Sequence, residues 1–175
     1  MNLYFRFFVL LLRTFFKKKD LDLFAPCHTR FRVNLLDLDL NLHMNNGRYL
    51  SIMDIGRTDL MLRSGVFGLL FNQGYYPVVV SESIRFKSSL ELFQKFELIT
   101  VLESWDERDL FMSQKFIRNG SIVAEGFLKG RFKKRGRKGS IPTAELFSLV
   151  GLNFENPNLS KRAMALNVIE KQLGN

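Results

Sequence analysis

The run Asp37-Leu38-Asp39-Leu40-Asn41-Leu42-His43-Met44-Asn45-Asn46 separates a segment patterned like a strand from one patterned like a helix. Polar and apolar residues alternate through it. On extended chain Asp39, Asn41 and His43 would share one face, with Leu40, Leu42 and Met44 turned toward the core. Beyond it, Tyr49, Met53, Gly56 and Leu60 recur at helical spacing and predict a helix from about Asn46 to Ser64, with Asp59 and Arg63 placed as an i to i+4 pair. Asn45 or Asn46 can cap its start, because an Asn side chain accepts from the free N–H groups of a first turn. Gly65 is placed to end it.

On the N-terminal side, Thr29 to Leu35 alternates polar and apolar residues, as a half-buried strand does. On the C-terminal side, Val78–Lys87, Lys95–Trp105, Leu110–Ile117 and Ile122–Phe132 are rich in β-branched and aromatic residues and predict four strands in a meander. Asn119-Gly120 is a two-residue hairpin turn of the kind that accepts positive φ. Lys133 to Ser140 reads as a basic loop. Pro142–Val150 and Ser160–Leu173 read as helices, the second with Ala163, Leu166, Ile169 and Leu173 in an apolar stripe. One long helix, apolar on several sides, against an antiparallel sheet is an α+β arrangement in which the sheet wraps the helix.

At 175 residues the chain suits one domain, and 46% apolar with 25% charged residues suits a folded one. Phe accounts for 18 of the aromatic residues against one Trp and four Tyr, so large apolar volume is filled without hydrogen-bond demands. Cys27 is the single cysteine, which excludes an internal disulfide and suits a reducing cytoplasm. It is not expected to be a nucleophile, because His28 beside it points to the opposite face of an extended chain. A net charge of +9 attracts anions, among them an anionic membrane surface and the phosphates of coenzyme A. Nucleic acid is not expected as a partner, since the basic runs Lys17–Lys19 and Lys129–Lys138 carry no aromatic platform.

Residues 2–19 are too short an apolar segment to span a bilayer, which takes roughly 20 residues. Asn2, Arg6, Arg13 and Lys17 would form a narrow polar stripe on a helix, leaving a broad apolar face. That face is expected either to pack on the protein or a partner subunit, or to lie in a membrane interface.

A carboxylate, an amide and an imidazole just before a helix start supply a base, an orienting group and backbone donors, the parts needed for acyl transfer. An imidazole can serve as a base at neutral pH. The D-L-D-x-N-x-H-x-N-N pattern resembles the hotdog-fold acyl thioesterases, in particular the plant acyl carrier protein thioesterases and the 4-hydroxybenzoyl-coenzyme A type. Asn46-Gly47-Arg48-Tyr49-Leu50, Arg63-Ser64-Gly65-Val66 and Ser104-Trp105-Asp106-Glu107-Arg108 are similar to the thioesterase superfamily member six group and its bacterial relatives. The likeness covers about residues 30 to 132.

This resemblance implies a hotdog domain over 28–135, to which the residue patterns add an amphipathic N-terminal helix over 1–20 and a C-terminal helical extension over 140–175. It further implies hydrolysis of a fatty or aromatic acyl thioester of coenzyme A or acyl carrier protein. Asp39 and His43 would be catalytic and Asn41 the orienting amide. Asn45, Asn46, Tyr49 and Asp54 would bind substrate, with the N–H near Asn46 polarising the carbonyl. No metal or cofactor is expected. The plant enzymes add a Glu before an aromatic in the next strand. Here Arg85 precedes Phe86, and Glu82 is out of register. A homodimer or higher oligomer is implied, working in the cytoplasm, with contact through residues 2–19 to the inner membrane surface as an expectation. The alternative is a non-catalytic acyl-binding or lipid-binding protein on that surface.

Overall fold

The computed structural model describes residues 2–15, 21–152 and 159–173, apart from the side chains of residues 2–4, 13–15 and 173. In chain order the elements are α1 (Asn2–Phe15), β1 (Cys27–Arg32), a 3-10 turn (Leu35–Asp37), α2 (Asn46–Arg63), α3 (Val66–Asn72), β2 (Tyr75–Phe86), β3 (Lys95–Trp105), β4 (Asp109–Arg118), β5 (Ser121–Lys134), α4 (Thr143–Leu149) and α5 (Lys161–Leu173). Five antiparallel strands form one sheet in the order β1-β3-β4-β5-β2. The expected α+β architecture is present, with α2 as the long central helix. The expected four-strand meander is corrected. Only β3, β4 and β5 follow one another, while β2 pairs with β5 at the far edge.

The reason lies in how the strands are connected. Asn119 (φ 49°) and Gly120 (φ 77°) make the tight β4–β5 turn, as their residue types allow. The stretch from Lys87 to Gln94, by contrast, carries β2 away from β3 and returns through Leu90, which is fully buried against Met44 and Val33. Met44 donates its N–H to Leu90 O (2.7 Å). The first strand is also shorter than expected, because Asn34 leaves the sheet to cap the 3-10 turn. Gly65 (φ 78°) ends α2, and a further helix, α3, starts directly after it.

One face of the sheet packs on α2 through Tyr49, Ile52 and Met53 against Phe96, Leu98, Phe116 and Leu128. The approach is close at Gly56, where a Cβ would sit 2.5 Å from Leu98 Cδ2 and 2.8 Å from Thr100 Oγ1. A side chain there would push the helix off the sheet. The opposite face packs on α5 through Phe111 and Phe127 against Ala163 and Leu166. Ile169 of the expected stripe is exposed instead. Its helix is tied down by Glu170, which pairs with the buried Lys129 and with Arg131. Burial works to lower the Lys129 ammonium, but the hydrogen bonds it donates to Glu170 and Asp109 outweigh it and hold the ammonium above its ordinary value.

Asp59 turns to the sheet, accepting from Thr29 Oγ1 at 2.6 Å. The N-terminal helix is also turned. Arg6, from the expected polar stripe, faces inward with its side chain only 12% exposed and pairs with Asp37, whose side chain is 2% exposed. Phe5 (67% exposed), Phe8 and Leu12 face outward. Asn2, Arg13, Lys17 and Leu173, along with the run Lys17–Lys19, fall outside the described side chains.

Candidate functional site

Asp39, Asn41, His43, Asn46 and Tyr49 converge on one surface depression of about 370 Å³ at the start of α2. The backbone that brings them there is a tight turn, which corrects the extended reading of Asp39 to His43. Leu42 takes φ 59° and donates its N–H to Asp39 O (3.1 Å), and Asp39 N–H donates to His43 O (2.9 Å). Leu40 is therefore fully exposed at 102%, and Leu42 is exposed beside it. Met44 alone of the three apolar neighbours reaches the core.

The Asp39 carboxylate is held by this turn. Its Oδ1 accepts from Asn41 N–H (2.9 Å) and His43 N–H (3.4 Å). Both of these contacts are to backbone N–H groups, so the carboxylate is fixed within the turn beside His43. His43 is half-buried, and its backbone bridges to Glu91. Asn45 is the N-cap of α2, accepting from Gly47 N–H at 2.9 Å. Its side chain is thus engaged in the helix, while the N–H of Asn46 stays at the positive end of the helix dipole beside the depression.

Tyr49 forms the buried base, its ring edge-on to Phe86 (5.0 Å) and Phe116 (4.9 Å). Burial holds its hydroxyl above the ordinary range, with a hydrogen bond from the Leu90 backbone working the other way. Asp54 is not part of the depression. It lies two turns along α2, 63% exposed and paired with Arg57. The depression is completed by Phe86 at the end of β2 and by Lys87, Ser88 and Ser89 after it. The last three the sequence did not single out, and the one available signal was the polar break following the strand.

A second polar group lies further along α2. Arg57 Nη1 donates to Glu82 Oε1 (3.0 Å) and to Gln114 Oε1 (2.9 Å), and Gln114 donates to Thr100 Oγ1 and Met53 O. Burial raises the Glu82 carboxyl above its usual range although Arg57 pulls it down. Glu82 therefore belongs to a structural network, and Arg85 sits opposite Glu125 in the sheet. Neither reaches the depression with Asp39.

Cys27 is buried beside Asp59, and burial, with the neighbouring carboxylate, pushes its thiol up to about 12. The thiolate is the reactive form, so alkylation of the native protein at pH 8 is expected to run slower than that of the unfolded chain by about a thousandfold. Iodoacetamide labelling followed by mass spectrometry checks this, and equal rates would remove the thiol from its buried setting. Among the described residues no three of His, Cys, Asp and Glu cluster to hold a metal.

A family model described as the thioesterase-like superfamily matches residues 33–149. Protein THEM6 of Danio rerio is 35% identical over 117 residues, covering 67% of this chain and 56% of its own length. The chain spans between 39% and 56% of the length of the first curated relatives it matches. Among solved structures, the probable thioesterase YbaW of Escherichia coli superposes with TM-score 0.66 at 21% identity, covering 71% of this chain and 96% of its own. A gentisyl-coenzyme A thioesterase superposes with TM-score 0.63 at 19% identity, covering 69% and 98%. At these identities the structures establish the fold.

Proposed function

This chain belongs to the thioesterase-like superfamily, and on that premise we propose that it hydrolyses a fatty or aromatic acyl thioester of coenzyme A or acyl carrier protein to the free acid and the thiol. The convergence of Asp39, Asn41, His43 and the Asn46 N–H on one depression carries the reading. Asp39 or His43 takes a proton from water as its oxygen adds to the thioester carbonyl carbon. The oxyanion forms against the Asn46 N–H and the dipole of α2. Its collapse breaks the C–S bond, and the departing thiolate receives the proton. In the covalent variant Asp39 attacks first, the thiolate leaves, and water then cleaves the acyl-Asp39 anhydride. Asn41 and Asn46 line the depression where the substrate is held, with Tyr49 as its floor. The test is thiol release from a panel of acyl-coenzyme A and acyl carrier protein thioesters by purified protein. Steady turnover on at least one supports the proposal, and none on any would sink it.

The open edges at β1 and β2 favour assembly as a homodimer through edge pairing. Light scattering is expected to give at least twice the chain mass. A single-chain mass at full activity rules it out.

A second reading, a lipid-binding protein at the cytoplasmic membrane surface, is favoured by the outward apolar face of α1 combined with a net charge of +9. Among the described residues no helix is long and apolar enough to cross a membrane. Phe5→Glu with Phe8→Glu removes that face while keeping Arg6 on Asp37. The pair is expected to abolish co-sedimentation with anionic vesicles. If the variant and the original protein sediment equally, α1 does not hold the membrane.

A further inference from the structure

Behind α2 lies a second cavity, of about 330 Å³, lined almost wholly by apolar side chains and distinct from the depression at Asp39. Its volume is at the lower end of the range of roughly 300–1,000 Å³ in which small-molecule sites fall. It is lined by Leu60 and Met61 of α2, Val78 of β2, Leu128 and Gly130 of β5, and Leu146, Phe147 and Val150 in and after α4, whose Leu146 and Val150 pack with Val66 and Leu70 beyond the C-terminal end of α2. Asp54, Arg57 and Thr58 stand at the polar end.

The depression and the cavity share one face of one helix. Asn46, Leu50, Asp54, Arg57 and Met61 follow one another at spacings of three and four, so a single stripe of α2 leads from the Asn46 N–H to the cavity. The edge strand β2 runs beside it, with Phe86 at the depression, Glu82 on Arg57 and Val78 at the cavity. From Asn46 to Asp54 the helix advances about 12 Å. An occupant reaching from one site to the other must be long, thin and apolar. The polar end does not suit a carboxylate head, because Arg57 is already engaged by Asp54, Glu82 and Gln114.

We propose that this cavity takes the distal part of an aliphatic acyl chain whose thioester lies at Asp39, and that Phe147 with its neighbours on α4 sets how long that chain can be. The proposal rests on the thioesterase reading for the position of the thioester, and on the cavity itself for the chain. Gly130 offers the means of testing it. A Cβ there meets Val78 O at 3.6 Å and Leu128 Cδ1 at 3.7 Å, ordinary contacts, so Gly130→Leu can fill the cavity from the sheet side. Losing burial of about two methylenes already costs roughly tenfold.

The experiment measures kcat/KM for acetyl-, hexanoyl- and palmitoyl-coenzyme A, and in parallel the binding of palmitoyl- and acetyl-coenzyme A to Asp39→Asn protein with and without Gly130→Leu. Gly130→Leu is expected to lower the palmitoyl-to-acetyl ratio at least tenfold in both measurements, and Phe147→Ala, which enlarges the cavity, to move the preferred length upward. If Gly130→Leu does not fold, the Phe147→Ala length profile decides alone. Unchanged length ratios in folded variants overturn the proposal even where turnover upholds the thioesterase reading. Chain-length-dependent binding without turnover in the original protein upholds the cavity and overturns hydrolysis.

Discussion

Asp39→Asn is expected to keep the fold and lower kcat by at least about 100-fold, the scale on which a general base or nucleophile acts. The substitution is nearly isosteric. An Asn Oδ1 can still accept from the N–H groups of Asn41 and His43, so the turn that shapes the depression is retained. What disappears is the negative charge and with it the capacity to take a proton or attack a carbonyl. Steady-state kinetics on purified variant, with circular dichroism as a check on folding, measures it. Turnover retained within tenfold would hand the chemistry to His43. Oxygen from labelled water appearing in the Asp39 carboxylate of the unaltered enzyme would establish the covalent route, because hydrolysis of an acyl-Asp39 anhydride at the enzyme carbonyl leaves it there and general-base hydrolysis does not.

The second large effect is structural. Asp37 accepts from Arg6 Nη2 and from the N–H of Asn34, and it is buried under α1. Asp37→Ala strands the Arg6 guanidinium in a site shielded from water, and breaking a buried pair in this way costs about 3–5 kcal/mol. The shift should appear in the urea midpoint. Replacing both partners together, Arg6→Met with Asp37→Leu, is expected to recover most of that loss, because it is the unpaired charge that is expensive. A loss below about 1 kcal/mol for Asp37→Ala would mean that α1 is not anchored here.

Much of this arrangement was legible in the residues themselves. Alternation marked β1, β-branched and aromatic runs marked β3 to β5, Asn119-Gly120 marked the β4–β5 turn, and the spacing of Tyr49, Met53, Gly56 and Leu60 marked α2. What escaped depended on partners remote in sequence or on backbone that no residue type announces. Helical periodicity located the polar stripe of α1 but not the direction it faces, which Asp37, 31 residues away, determines. The positive φ at Leu42 turns Asp39 to His43 back on itself, and Leu is not a residue that signals such a turn. Gly65 was a sound stop for α2, yet a stop says nothing of a new helix beginning at Val66. The candidate site fared similarly. Asp39, Asn41, His43 and Asn46 lie within one short segment and group by sequence alone, whereas Arg57, Glu82, Gln114 and Thr100 meet only when α2, β2, β3 and β4 have packed.

The strand order also governs the sequence of events by which the chain can assemble. β4 and β5 are joined by two residues, and β3 precedes them closely, so this three-stranded unit can form at low loop-closure entropy. The two outer strands must wait. Phe86 meets Ala124, 38 positions further along the chain, and Cys27 meets Thr100, 73 positions further along, a loop that includes α2. Contacts made late weigh on the rate of unfolding more than on that of folding. Since the edges and α2 carry the proposed chemistry, the residues about Asp39 belong to the part of the molecule that opens first, and a bound acyl chain spanning α2 and β2 would slow that opening.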